Sequence, residues 1–317
     1  MYYLGIDLGG TNIAVGLVDE NFNIVCKEST PTNAATSTDV EIVTSMALLC
    51  KKILDENNID KSEVKSIGVG SPGTPDAVNG VVIYSNNLPF RNTKIRKIIQ
   101  SVIDVPVFVQ NDANCAALGE AVAGAAKDIS HSVMITLGTG VGGGIIIDKK
   151  IYSGFNFAGA ELGHHVIVAN GELCSCGRRG CWEAYASANA LKKQAAAAAL
   201  ANKDSYLYKL IDGKAENVTG KSAFDAMRNG DATGKAVVMQ YVEYVGIGIA
   251  NMINVFQPEI FIIGGGVSKE GNYLLDLLND YVNSEDYCRD IAKTTIKIAT
   301  LGNDAGIIGA AALGKNN

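Results

Sequence analysis

Ile6-Asp7-Leu8-Gly9-Gly10-Thr11 and Thr136-Leu137-Gly138-Thr139-Gly140-Val141 lie 130 residues apart in a chain of 317. Each reads as a strand that ends in a glycine turn and leads into another strand. β-Branched residues bounded by Gly, Asn and Asp extend both patterns. They predict strands over 3–7, 13–18 and 24–28 in the first copy, and over 132–137, 145–148 and 151–152 in the second. The recurrence points to an internal duplication. Outward from these stretches, Val40, Val43, Met46, Ala47, Cys50, Ile53 and Leu54 follow helical spacing over 39–57. Further strands are expected over 66–70, 106–109 and 260–263. Further helices are expected over 112–124, 183–202, 222–229 and 234–256, with a last one from about 304. Pro72, Gly73, Pro75, Gly80 and Pro89 mark a loop-rich stretch. The alternation is that of an α/β protein with mixed sheets. Two domains are expected: residues 1–116, with 303–317 packing back on them, and residues 117–302. Two facing copies would leave an interdomain cleft, where ligands commonly bind.

Composition narrows the function classes. Hydrophobic residues make up 47% of the chain, enough for buried cores, which excludes a disordered chain. No uninterrupted apolar run approaches the roughly 20 residues of a membrane helix, since 245–256 is broken by Asn251 and Asn254. MYYLGIDLGG carries no basic flank and no signal-peptide core, so a cytoplasmic protein is expected. The net charge of −6 argues against nucleic acid and anionic membranes as partners. Four of the seven cysteines, Cys26, Cys50, Cys115 and Cys288, are scattered, and Cys174, Cys176 and Cys181 crowd together.

The glycine turns are candidate phosphate cradles. Asp7-Leu8-Gly9-Gly10-Thr11 sets a carboxylate at a strand end, then bare backbone amides, then a hydroxyl donor. Asp7 is placed to hold Mg²⁺ through water. Gly138-Thr139-Gly140 offers the same chemistry from the other half, and Gly264-Gly265-Gly266, after a strand, suits close approach to a nucleoside. Gly138, Gly140 and Gly143 also satisfy G-x-G-x-x-G. A dinucleotide site needs a helix next, whereas Gly144-Ile145-Ile146-Ile147 reads as strand. Gly220-Lys221-Ser222 ends like a P-loop, but Ala215 stands where its first glycine belongs, so it reads as a helix start.

His164, Cys174, Cys176 and Cys181 form H-x9-C-x-C-x4-C, a closed donor set of the structural zinc type. His165 is the rival imidazole. Asn111-Asp112 places an amide and a carboxylate where a strand passes into a helix. Asp112 there is either a helix cap or a base that accepts a hydroxyl proton during phosphoryl transfer. Glu161 and Glu183 flank the metal loop, where a metal clamp would fix them as a pair for the vicinal hydroxyls of a sugar.

These blocks resemble the ROK sugar kinases of the actin/hexokinase ATPase clan. The resemblance runs from the first strand to the last helix. It rests on Asp7-Leu8-Gly9-Gly10-Thr11, Asn111-Asp112-Ala113-Asn114, Leu137 to Gly144, Glu161-Leu162-Gly163-His164, and Cys174-Ser175-Cys176-Gly177-Arg178-Arg179-Gly180-Cys181-Trp182-Glu183. It implies a two-domain actin-like, RNase H-like fold and ATP-dependent phosphorylation of a hexose, glucose foremost, at its 6-hydroxyl. By the same resemblance Asp112 is the catalytic base. Asn111, Glu161, His164 and Glu183 bind sugar, with Gly73 and Asn87 on further sugar-side loops, and His164 also binds zinc. Asn12 stands where many members carry Lys. The resemblance further implies a homodimer. N-acylhexosamine kinases, fructokinases and mannokinases are the alternatives within the family. The family's repressors carry a DNA-binding segment ahead of the kinase-like part, for which no room is expected before Gly9.

Overall fold

In the computed structural model, residues 1–285, 287 and 289–315 are described, so Cys288 lies outside the described residues. From the N-terminus the elements are β1 (Tyr2–Leu8), β2 (Asn12–Asp19), β3 (Ile24–Pro31), α1 (Asp39–Glu56), β4 (Val64–Ser71), β5 (Thr74–Asp76), β6 (Val81–Tyr84), β7 (Arg91–Thr93), α2 (Ile95–Val102), β8 (Val107–Asn111) and α3 (Asp112–Ala123). The chain continues through β9 (Ser132–Leu137), β10 (Val141–Ile147), β11 (Lys150–Ile151), α4 (Glu183–Ala186), α5 (Ala188–Ala201), α6 (Tyr206–Leu210), α7 (Ser222–Arg228), α8 (Ala232–Phe256), β12 (Ile260–Gly264), α9 (Asn272–Ser284), β13 (Thr295–Ile298) and α10 (Ala305–Ala312). Two compact units result. One comprises Met1–Ser132, Gly144–Ala160 and Thr300–Asn317, and the other Val133–Gly143 and Glu161–Ala299.

In the first unit a mixed sheet has the order β3-β2-β1-β4-β8. β1, β2 and β3 form an antiparallel meander, and β4 and β8 add in parallel. The register sets Asp7 opposite Ala14 on one side and Gly70 on the other. Leu4, Ile6, Leu8, Ile13, Val15 and Leu17 are buried with Ile42, Val43, Met46 and Ile53 of α1. Each such side chain contributes roughly 1.5–3 kcal/mol of burial. A capping box between Thr38 and Glu41 starts α1. α10 packs on β1, β4 and α3. Its approach depends on missing side chains. A Cβ at Gly68 would stand 1.7 Å from the Ala310 carbonyl oxygen, and one at Gly5 would stand 1.9 Å from that of Ile307. The fully buried Glu120 closes this unit, its carboxylate accepting from the Ala125 and Leu301 amides and the Thr300 hydroxyl.

A second five-stranded sheet has the order β11-β10-β9-β12-β13. Counted within its own half, with the small β5-β6-β7 sheet left out of the first, this is the order of the first sheet. β10 and β11 pair antiparallel, and β12 and β13 pair parallel. The repeated order matches the duplication read from the two glycine turns. α8 is long and apolar enough to cross a membrane by length and composition alone, yet most of it is buried inside the protein. Its buried Val238, Tyr241, Val245, Ile249 and Met252 recur every three to four residues, the spacing of a core-facing helix.

Several elements depart from the reading of the sequence. The stretch read as loop folds into a small antiparallel sheet, β5-β6-β7. The helix expected over 183–202 is broken at Ser187, which is extended and caps α5 by accepting from the Ala190 amide. β10 begins among the glycines at Val141, and α2, α6, α9 and β13 are additional.

Candidate active site

In the first unit, Asp7 sits at the end of β1, and Asp112 opens α3 directly after β8. Gly70, the register partner of Asp7, lies where an added Cβ would be 3.5 Å from the Asp112 backbone. The two carboxylates therefore flank one strand position. Burial, then the Asp112 charge, raises the Asp7 pKa from 3.8 to about 6. Burial also pushes Asp112 above the ordinary aspartate range, against hydrogen bonds to its carboxylate that oppose the shift. Asn111, not Asp112, is the helix cap, its side-chain oxygen accepting from the amides of Ala113 and Asn114. The cap reading of Asp112 gives way to Asn111, although the Asp112 carboxylate shares the Ala113 amide, accepting it at 2.9 Å. The other end of the Asn111 amide donates to the Gly73 carbonyl at 3.2 Å. Gly73 holds φ +101°, and a Cβ there would strike the Tyr84 carbonyl oxygen.

The first glycine turn is closed by the Gly9 amide donating to the Asn12 carbonyl at 2.8 Å and by the Thr32 hydroxyl donating to the Gly9 carbonyl at 2.7 Å. Gly10, Thr11 and Asn12 remain exposed. A Cβ at Gly10 would meet Asn87 at 3.7 Å, so the Asn87 loop adjoins this turn.

In the second unit, the Gly138 amide donates to the Gly140 carbonyl at 3.0 Å, making a tight turn between β9 and β10. Gly265 holds φ +84°, and a Cβ there would lie 2.6 Å from the Leu137 backbone. The Gly264-Gly265-Gly266 run therefore packs beside the strand that feeds this turn. After Gly143 the chain is strand, as the rejection of a dinucleotide site required, and Ser222 opens α7.

His164, Cys174, Cys176 and Cys181 converge, their ligand atoms all within 4.8 Å of one another. The Cys176 and Cys181 sulfurs are 3.7 Å apart, and Cys174 Sγ is 3.6 Å from His164 Nδ1. A tetrahedral zinc ion with bonds of about 2.3 Å to sulfur requires ligand atoms about 3.8 Å apart. Burial and the neighbouring Cys176 and Cys174 thiols push the Cys181 thiol up to about 12. Three thiols this close need a cation before all can ionise, so the donor set fits zinc in both spacing and charge. His165 is otherwise engaged: its Nδ1 is 2.6 Å from the Leu162 carbonyl, and its ring lies against Trp182. Trp182, wholly buried between Cys181 and Glu183, donates its indole N–H to the Tyr244 carbonyl in α8. α8 thereby anchors the metal loop.

Glu161 is exposed and precedes the single 3-10 turn Leu162–His164, its carbonyl accepting the His164 amide at 3.0 Å. Glu183 starts α4, where its carboxylate accepts from the Ser175 hydroxyl at 2.7 Å and the Val141 amide at 3.0 Å. Of the residues read as sugar-binding, Gly73, Asn87, Asn111 and Asp112 belong to the first unit, and Glu161, His164 and Glu183 to the second. The sequence reading missed Ser175 as a partner of Glu183, and missed the bond from the Arg178 guanidinium to the His164 carbonyl. No local pattern marks either role, because each depends on how the metal loop folds back.

The ROK family profile matches residues 3–317. The chain is 37% identical over 309 residues to a glucokinase of Halalkalibacterium halodurans, covering 97% of this chain and 93% of that protein. It is 36% identical over 311 residues to a glucokinase of Thermotoga maritima, covering 98% and 96%. Among solved structures, the ROK family glucokinase from Streptomyces griseus, in complex with glucose and AMPPNP, superposes with a TM-score of 0.83 at 34% identity and full coverage of both chains.

Proposed function

The chain belongs to the ROK family, with its actin-like ATPase fold, and on that premise we propose that it is an ATP-dependent glucokinase, converting glucose and ATP to glucose 6-phosphate and ADP. The observation that carries the reaction is the half-buried Asp112 carboxylate at the head of α3, raised in pKa beside the Asn111 side chain that caps the helix. A carboxylate so raised is a stronger base than an ordinary aspartate. Asp112 accepts the 6-hydroxyl proton as the oxygen attacks the γ-phosphorus. The bond from that phosphorus to the bridging oxygen breaks, and ADP leaves. Such a transfer is governed by positioning and charge stabilisation, so one modest base suffices.

The remaining roles rest on the chemistry of the glycine turns and, for the sugar ligands, on what the family resemblance implies. Gly9, Gly10, Thr11 and Asn12 hold phosphate, as do Gly138, Thr139 and Gly140, while Gly264, Gly265 and Gly266 border the nucleoside. Asp7 would hold Mg²⁺, which offsets phosphate charge when bound, and a carboxylate raised to about 6 by burial and a neighbouring acid gains from such a cation. Asn111, Glu161, His164 and Glu183 bind glucose hydroxyls, assisted by Gly73 and Asn87. His164 and the three cysteines would hold a structural Zn²⁺ that keeps the loop rigid. With Nδ1 turned to Cys174, the imidazole has Nε2 left for a hydroxyl. The reading includes a cytoplasmic homodimer with no nucleic acid or membrane partner.

Coupled assays with glucose, mannose, fructose, N-acetylglucosamine and N-acetylmannosamine test the substrate. Glucose is expected to give the highest kcat/KM, and the lowest of the five for glucose overturns it. Asp112→Ala is expected to lower kcat by about 10³-fold with glucose binding retained, and unchanged turnover removes Asp112 as the base.

A further inference from the structure

The segment that follows Cys181 grips the second glycine turn at both ends. At one end the Val141 amide donates to Glu183 Oε2 at 3.0 Å. At the other the Ala188 amide, in the first turn of α5, donates to the Gly138 carbonyl at 2.8 Å. The other Glu183 oxygen accepts the Ser175 hydroxyl at 2.7 Å. Gly140 leaves room for this grip, because a Cβ there would collide with Glu183 Oε2. The turn itself has few bonds of its own, so these two contacts set where its amides point.

We propose that Glu183 is a positioning residue for the nucleotide as well as a sugar ligand: its carboxylate holds the Gly138–Val141 turn in the shape that receives phosphate. This rests on reading that turn as a nucleotide cradle. Oε1 takes the Ser175 hydroxyl and the Cys174 thiol, while Oε2 keeps a further lone pair once the Val141 donor is served, so a sugar hydroxyl need not displace the turn. A sugar ligand with no second task would affect glucose affinity alone. A carboxylate that also carries the turn affects nucleotide affinity with no sugar present.

The test is calorimetric binding of AMPPNP with Mg²⁺ to the full chain, without sugar, beside glucose binding without nucleotide. Glu183→Ala is expected to weaken AMPPNP by about tenfold, the size set by losing a charge-assisted hydrogen bond. Glu183→Gln keeps an oxygen for the Val141 amide, so its AMPPNP affinity is expected within about twofold of the parent while glucose affinity falls. If Glu183→Ala does not fold, Glu183→Asp, one methylene too short to reach Val141, should reproduce the tenfold loss. Parent-like AMPPNP binding in the folded Ala or Asp variant overturns the proposal, as does a Gln variant that loses as much as Ala. A parent protein that binds AMPPNP yet phosphorylates no glucose would count against the glucokinase reading and leave this result intact.

Discussion

At the residue scale, the half-buried Asp7 carboxylate costs stability at neutral pH. Its pKa is about 6 in the folded chain against 3.8 for an ordinary aspartate, so the folded state binds this proton more tightly than the unfolded one. Stability is therefore lost as pH rises from about 4 to about 6 and stays lost above that range. Asp7→Asn is expected to be more stable than the parent by about 2–3 kcal/mol at pH 7.5, measured by urea unfolding without metal or nucleotide, and to lose activity. The two proteins should converge below pH 4; an equal or lower stability for the variant at pH 7.5 counts against the burial argument. Asp112, also raised by burial, places the acid limb of kcat above the usual aspartate range, and that limb should vanish in Asp112→Asn. Both carboxylates were legible as candidates because Asp7 lies at a strand end and Asp112 directly follows one. The effect of the Asp112 charge on Asp7 was not, because β4, whose Gly70 is over 60 residues from Asp7 in the chain and 42 before Asp112, brings the two together.

At the scale of elements, α10 shows how small residues govern what the active-site strands rest on. The carbonyls of Ile307 and Ala310 lie so close to β1 and β4 that only hydrogen fits at Gly5 and Gly68. Gly68→Ala must push α10 from the sheet, at a cost of about 3 kcal/mol, read as a lower urea midpoint with unchanged slope. Because β1 carries Asp7, the same variant should raise the Mg²⁺ concentration needed for half-maximal rate; a parent-like midpoint would show that the helix relaxes freely. The long elements α1 and α8 and the strands of both meanders were readable from spacing. α4 and α5 were read as one helix because apolar spacing runs on through Ser187, and only the hydroxyl bond to the Ala190 amide marks the break. β5, β6 and β7 were hidden among prolines and glycines, since strands this short carry too few residues for alternation to show.

At the scale of the whole molecule, the cysteine loop and the Gly138–Val141 turn lie in one unit with the sugar candidates Glu161, His164 and Glu183. Stripping the metal with a chelator, or Cys176→Ser, is expected to weaken glucose binding by about tenfold or more and AMPPNP binding less. Glucose loses the orientation of His164 itself, whereas the turn keeps the Val141 and Ala188 bonds. Equal losses would indicate general unfolding instead. What the sequence determined by itself was whatever lies within a few residues of its partners: the glycine turns, the spaced cysteines, the helix that begins at Asn111-Asp112, and the duplication that repeats the first of these. Their chemistry is set by backbone freedom and ligand types at short range. The tertiary structure alone decided that Glu183 reaches an amide 42 residues earlier, that Glu120 gathers the chain 181 residues on, and that α10 lies against bare glycines. Contacts of that separation depend on how whole faces pack, and no local pattern records which distant backbone group a buried carboxylate will meet.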